Sequence, residues 1–187
     1  MSQEELYYKK CRRYDTPGDA HELTFSCYHR QGFLVRQRTC DWLVESVDRA
    51  RKKYCFSLWA YVFMPEHVHI LICPQEEVYS IAKLLQSIKQ PVSQKAIAYL
   101  KKNNPDGLEK LATGQKYREY RFWQDGGGYD VNVVKEKTII NCVRYIHFNP
   151  VRRGLVDSPE QWYYSSAAVW CGHDGPLKID VDTYPVG

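Results

Sequence analysis

Two histidines one residue apart, His67 and His69, sit inside the stretch Phe63-Met-Pro-Glu-His-Val-His-Ile-Leu-Ile72. The run after Glu66 alternates its histidines with Val68, Ile70 and Ile72, the period of a strand with one buried face. On a strand, side chains at i and i+2 share a face, roughly 7 Å apart along the backbone. Two imidazoles so placed can converge on one divalent cation, or they can simply stand on the wet face of the strand. Farther along, Tyr145 and Asn149 are four residues apart and share one face of a helix, whereas His147 lies roughly 200° around from Tyr145 and cannot easily join them. Asn149 is a candidate third donor to an ion held by the two histidines, with the Tyr145 phenol one turn away. The ordinary roles are a packing tyrosine and an asparagine that caps a helix end before Pro150.

The elements that must position these groups follow from periodicity. His21 to Tyr28 alternates Leu23, Phe25 and Cys27 with polar residues, a half-buried strand. Residues 39–54 space Trp42, Leu43, Val47 and Ala50 as a helix with a basic carboxyl end. Phe56 to Phe63 is a largely apolar strand, expected to be central in its sheet. A tight turn at Met64–Glu66 makes it the antiparallel neighbour of the histidine strand, 67–73. Val78 to about Lys102 is amphipathic through Ile81, Leu84, Leu85, Ile88 and Val92, and Pro91 is expected to kink or divide it. Asn103 to Gln115 reads as loop. Tyr120 to Val134 is extended around Gly126-Gly127-Gly128, which suits either close approach of the backbone to a bound partner or a plain bulge. Lys135 to Phe148 is a helix built on Ile139, Ile140, Val143 and Ile146, ending at Asn149-Pro150. The order predicts an α+β, ferredoxin-like split β-α-β sheet with helices on one face and a ligand face on the other. The Lys135–Phe148 helix is the extra element that brings chemistry to the histidines. Residues 1–20 read as a basic arm, 21–156 as the catalytic unit and 157–187, with Trp162, Tyr163, Tyr164 and Trp170, as a packing tail.

Composition narrows the setting. The 187 residues are 44% hydrophobic and 26% charged, ordinary for a globular domain, with a net charge of +4. Basic residues cluster at Arg12-Arg13, Arg49 to Lys53, Lys101-Lys102, Lys116 to Arg121 and Arg152-Arg153, amid 15 Tyr, 5 Trp and 6 Phe. Such clusters permit an anionic partner, although a charge run is commonly a solvated face, and most of the rings must be core. The seven cysteines include no Cys-x-x-Cys pair, which argues against a disulfide framework or zinc knuckle and for a reducing, cytoplasmic setting. The polar amino terminus is unlike a signal peptide, and no segment approaches the roughly 20 apolar residues of a membrane span.

The residues Met64-Pro-Glu-His-Val-His-Ile-Leu-Ile72, Phe122-Trp-Gln124, Gly126-Gly-Gly-Tyr-Asp130, Tyr145-Ile-His-Phe-Asn-Pro-Val-Arg-Arg-Gly-Leu155 and Trp162-Tyr-Tyr-Ser-Ser166 together resemble the REP-associated tyrosine transposases. These are single-tyrosine, single-strand transposases of the His-hydrophobic-His endonuclease group. The resemblance runs from about His21 to Ser166. It implies a ferredoxin-like fold, a divalent metal (Mg²⁺ or Mn²⁺) on His67 and His69 with Asn149 as third ligand, and Tyr145 as the nucleophile. It also implies partners that are imperfect-palindrome DNA hairpins, cut on a single strand near the hairpin foot. Glu66 stands where relatives often carry Asn or Asp, and is expected to point away from the metal face.

The implied chemistry is physically coherent. A phenol is protonated at neutral pH and needs help to attack a phosphate. Its attack would leave a 5′-phosphotyrosine and a free 3′-hydroxyl, and the retained ester lets a second 3′-hydroxyl reverse the step. Single strands and hairpin junctions can splay bases onto aromatic rings. Arg12, Arg13, Lys89, Gln90, Arg121, Arg152 and Arg153 are the candidate DNA contacts. Two rival readings remain: a non-catalytic nucleic-acid-binding protein derived from a transposase, and a hydrolase that activates water beside a structural Tyr145. A monomer is expected, because the aromatic tail can cover the surface through which related enzymes dimerise; a homodimer is the alternative.

Overall fold

The computed structural model describes residues 14–126 and 128–185. Its elements are β1 (Ala20–Ser26), α1 (Gln37–Tyr54), β2 (Phe56–Phe63), β3 (His67–Pro74), α2 (Ile81–Asn103), β4 (Tyr129–Val133), α3 (Glu136–His147) and the short helices α4 (Asn149–Arg152) and α5 (Ala167–Trp170). The strands form one antiparallel sheet in the order β2-β3-β1-β4, the expected split β-α-β arrangement.

Alternation along β3 divides the core in two. Val68, Ile70 and Ile72, with Leu23 and Phe25 of β1, pack under α1 and α2 through Leu43, Val47, Leu84 and Ile88. Leu71, with Ala60, Val62 and Val133, packs instead against Ile139, Cys142, Val143 and Ile146 of α3. His67 and His69 share the parity of Leu71 and therefore face the α3 side. The turn that launches β3 is closed by the Met64 amide donating to the His67 carbonyl at 2.8 Å.

β2 is a sheet edge, not the central strand its apolar run suggested. All eight of its residues are nevertheless buried, because the carboxyl-terminal tail lies along its open side. The Phe63 amide donates to Tyr164 O at 2.8 Å and the Ser166 amide to Tyr61 O at 3.0 Å. The Trp162 and Trp170 indoles donate to the Phe63 and Trp59 carbonyls at 2.9 and 3.0 Å. Farther along, the Asp180 amide donates to Leu58 O and its carboxylate accepts from the Leu58 amide at 2.8 Å. An edge so covered cannot template pairing with another chain.

α2 also departs from expectation, since it runs unbroken through Pro91. A proline leaves the carbonyl four residues back, here that of Ser87, without its amide partner. The fully buried Ser46 of α1 supplies the replacement: its hydroxyl reaches Ser87 O at 3.3 Å and Ile88 O at 2.8 Å. The 103–115 loop contains one short 3₁₀ helix, Pro105–Leu111, and of the extended stretch 120–134 only Tyr129–Val133 is strand. The close approach allowed by Gly128 is to the protein's own backbone. At φ +70° its position leaves no room for a side chain, and an added Cβ would stand 1.8 Å from Thr24 O.

Candidate active site

β3 and the end of α3 meet where the sheet's second face is only partly covered. The His67 and His69 rings lie 4.8 Å apart, nearly perpendicular, and both are buried. His69 is held at both nitrogens: Thr24 Oγ1, directly across the strand pair, is 2.7 Å from Nδ1, and the Asn149 amide nitrogen is 3.0 Å from Nε2. The Tyr145 ring stands edge-on to His69 at 5.5 Å, yet remains 47% exposed. The Arg152 guanidinium lies over that ring at 4.2 Å and donates to the Tyr145 carbonyl at 2.7 Å. His67, His69, Tyr145 and Asn149 are thus brought together.

The chain ends its helix in the way this placement requires. α3 stops at His147, Phe148 closes it, and Asn149 opens α4. Pro150 sits in the first turn of α4, where the amide hydrogen it lacks would be unbonded in any case. Asn149 is therefore not a capping residue of α3, and its side chain turns inward to His69. His147 stays out of the site, buried with Nε2 2.8 Å from Ser166 Oγ.

Glu66 corrects the sequence expectation. Rather than pointing away, its Oε1 lies 3.1 Å from His67 Nδ1 and accepts from Arg153 Nη1 at 2.7 Å. Glu66 belongs to the turn before β3, where strand alternation does not yet apply. Thr24 carries no local sequence signal, since only the register of β1 on β3 places it opposite His69.

Electrostatics favour neutral imidazoles. Burial, reinforced by His67 and Arg152, pushes His69 down to about 3. Burial also lowers His67, against the pull of the Glu66 carboxylate. Burial alone would raise Glu66, but Arg153 and His67 together hold it below the usual carboxylate range. Each histidine therefore keeps a lone pair available as a ligand at neutral pH.

The donor set can be tested for a metal. Among the described residues, no three His, Cys, Asp or Glu side chains converge, so a third protein donor must be of another kind, and Asn149 is in place. Its amide lies 3.0 Å from His69 Nε2, so the two groups would lie together at any ion held there. Turned over, the amide presents its oxygen instead of its nitrogen. Two imidazoles and an amide oxygen make a mixed nitrogen and oxygen donor set that could hold a divalent cation.

The other candidate DNA contacts are dispersed. Arg152 and Arg153 are at the site, engaged with Tyr145 and Glu66. Lys89 and Gln90 line a groove of about 550 Å³ on the α2 side, together with Arg118, Trp123 and Gln124. The Arg121 side chain is 13% exposed and paired with Asp125 at 2.6 Å, so its guanidinium is already engaged within the protein. Arg12 and Arg13 fall outside the described residues.

Comparisons with known proteins bear on the family and the fold. Residues 20–149 match the family model described as IS200-like transposase. A Haemophilus influenzae protein whose name places it with the REP-associated tyrosine transposases is 29% identical over 147 residues, covering 71% of this chain and 75% of its own. A solved REP-associated tyrosine transposase bound to a REP hairpin shares the fold, with a TM-score of 0.66 at 21% identity over 96% of this chain and 97% of its own. No helix among the described residues is long and apolar enough to cross a membrane.

Proposed function

The chain belongs to the IS200-like transposase family, and from that premise we propose that it nicks and rejoins one DNA strand beside a hairpin through a covalent bond to Tyr145. The observation that carries this reading is the exposed Tyr145 ring set edge-on against His69, whose other contacts are Thr24 and Asn149. The Tyr145 oxygen attacks the scissile phosphate, forming the phosphotyrosine O–P bond as the bond to the 3′ oxygen breaks. The phenolic proton is lost, and the departing 3′ oxygen is protonated. A second 3′-hydroxyl then attacks the phosphotyrosine and returns Tyr145 to its free form, so the ester's energy is conserved.

His67, His69 and Asn149 would hold Mg²⁺ or Mn²⁺, which when bound supplies positive charge at a non-bridging phosphate oxygen. Arg152 restrains the Tyr145 ring from above and presents a cation beside the phosphate's path. The hairpin substrate is taken from the relative solved with a REP hairpin. The tail along β2 supports a monomer, since that edge is already paired.

The test is a hairpin oligonucleotide with a single-stranded flank, incubated with Mn²⁺ and resolved on a denaturing gel. The natural protein should give a protein–DNA adduct and Tyr145→Phe none. Cleaved ends without any adduct would favour a water-activating hydrolase. Binding with neither product would favour a non-catalytic DNA-binding protein.

A further inference from the structure

At one of the two histidines the neighbouring side chain fixes which ring nitrogen carries the proton. At His69, Thr24 Oγ1 lies 2.7 Å from Nδ1 and the Asn149 amide 3.0 Å from Nε2; a hydroxyl and a side-chain amide can each donate or accept, so these contacts suit either tautomer. At His67, the ionised Glu66 carboxylate can only accept, and its Oε1 faces Nδ1 at 3.1 Å. His67 is thus the Nδ1–H tautomer, with its Nε2 left for a ligand.

For His67 the work falls on one side chain. Glu66 is buried, and its Oε1 is shared between His67 Nδ1 and Arg153 Nη1, the latter at 2.7 Å. The arginine thereby holds the carboxylate in place and balances its charge. Orientation of a ligating imidazole through the nitrogen remote from the ion is a recurrent way of fixing tautomer and ring plane.

We propose that Glu66, braced by Arg153, is a positioning residue that fixes His67 as its Nδ1–H tautomer and so presents Nε2 to the divalent ion. The metal half of this inference rests on the reading in the preceding subsection; the tautomer half does not. The competing explanation is a purely structural tie between the turn and the end of α4. It predicts that loss of Glu66 changes stability and leaves the His67 tautomer and the metal affinity alone.

The experiment uses the full chain. Long-range ¹H–¹⁵N correlation of the histidine rings is recorded without metal, and Mn²⁺ is then titrated calorimetrically, for the natural protein, Glu66→Ala, Glu66→Gln and Arg153→Gln. Natural His67 should be the Nδ1–H tautomer. Glu66→Ala should populate the Nε2–H form and weaken Mn²⁺ binding by about 10- to 100-fold. Glu66→Gln keeps an acceptor for Nδ1–H and should recover the tautomer and most of the affinity. Arg153→Gln leaves the turn intact, so it reads the same effect even if Glu66→Ala fails to fold, and should weaken Mn²⁺ binding severalfold. An unchanged His67 tautomer in Glu66→Ala, or unchanged Mn²⁺ affinity in both Glu66→Ala and Arg153→Gln, overturns the proposal. A natural protein that binds no Mn²⁺ overturns the metal reading and the metal half of this proposal, while the tautomer comparison still decides what Glu66 does to His67.

Discussion

The Tyr145 ring meets the His69 imidazole edge-on, 5.5 Å between centroids and 84° between planes, so a residue of α3 and a residue of β3 share one small site. Tyr145 is restrained on the way in by Arg152 and still half open to solvent. A nucleophile that must reach a large substrate needs both properties.

Replacing His67 or His69 with alanine should reduce cleavage at least 100-fold while leaving hairpin affinity within about threefold, because phosphate contacts supply most of the binding energy. Gel cleavage and fluorescence anisotropy on the same samples check this. Equal cleavage by both variants would remove the histidines from the chemistry.

Acid should destabilise the fold in a defined window. Burial lowers His147 from 6.5 to about 4 and, with His67 and Arg152, lowers His69 to about 3. An unfolded histidine gains its proton near pH 6.5, so below that pH the unfolded chain binds more protons than the folded one. Stability from these groups is therefore full above about pH 6.5 and is lost as pH falls toward about 4, by on the order of a few kcal/mol. Urea midpoints at pH 7.5 and pH 5 measure the loss, and His147→Gln should shrink it.

Ser46 and Pro91 should be energetically coupled. Ser46→Ala leaves the Ser87 and Ile88 carbonyls without its hydroxyl and should cost about 1–3 kcal/mol. With Pro91→Ala an amide hydrogen returns to Ser87, so the same change should cost less in that background. A double-mutant cycle with zero interaction energy would contradict the account.

Asp180→Ala strips the Leu58 amide of its acceptor and Arg51 of its ionic partner. A loss of about 1–3 kcal/mol is expected, with earlier light scattering on heating as the edge of β2 opens. Unchanged melting and scattering would mean that the tail does not guard that edge.

These elements also show where sequence reading works. β2 is legible as a short apolar run, the turn by its proline and β3 by period-two alternation, all local signals, and α3 because its apolar residues recur at helical spacing. The shared face of Tyr145 and Asn149 followed from that helix, although Asn149 reaches it from the start of the next one. What stayed hidden depended on partners distant in the chain. Pro91 is tolerated because of a serine on α1, and β2 is buried at an edge because a tail without periodicity binds it through backbone groups. Thr24 meets His69 through strand register, and Glu66 turns toward His67 because Arg153 holds it.

The central claim is that Tyr145 itself becomes bonded to DNA. Its most direct measurement is mass spectrometry of the protease-digested adduct formed on a hairpin oligonucleotide with Mn²⁺. The account predicts a 5′-phosphorylated oligonucleotide linked to the peptide at Tyr145. Linkage at any other residue, or cleaved DNA with no linked peptide, would contradict it.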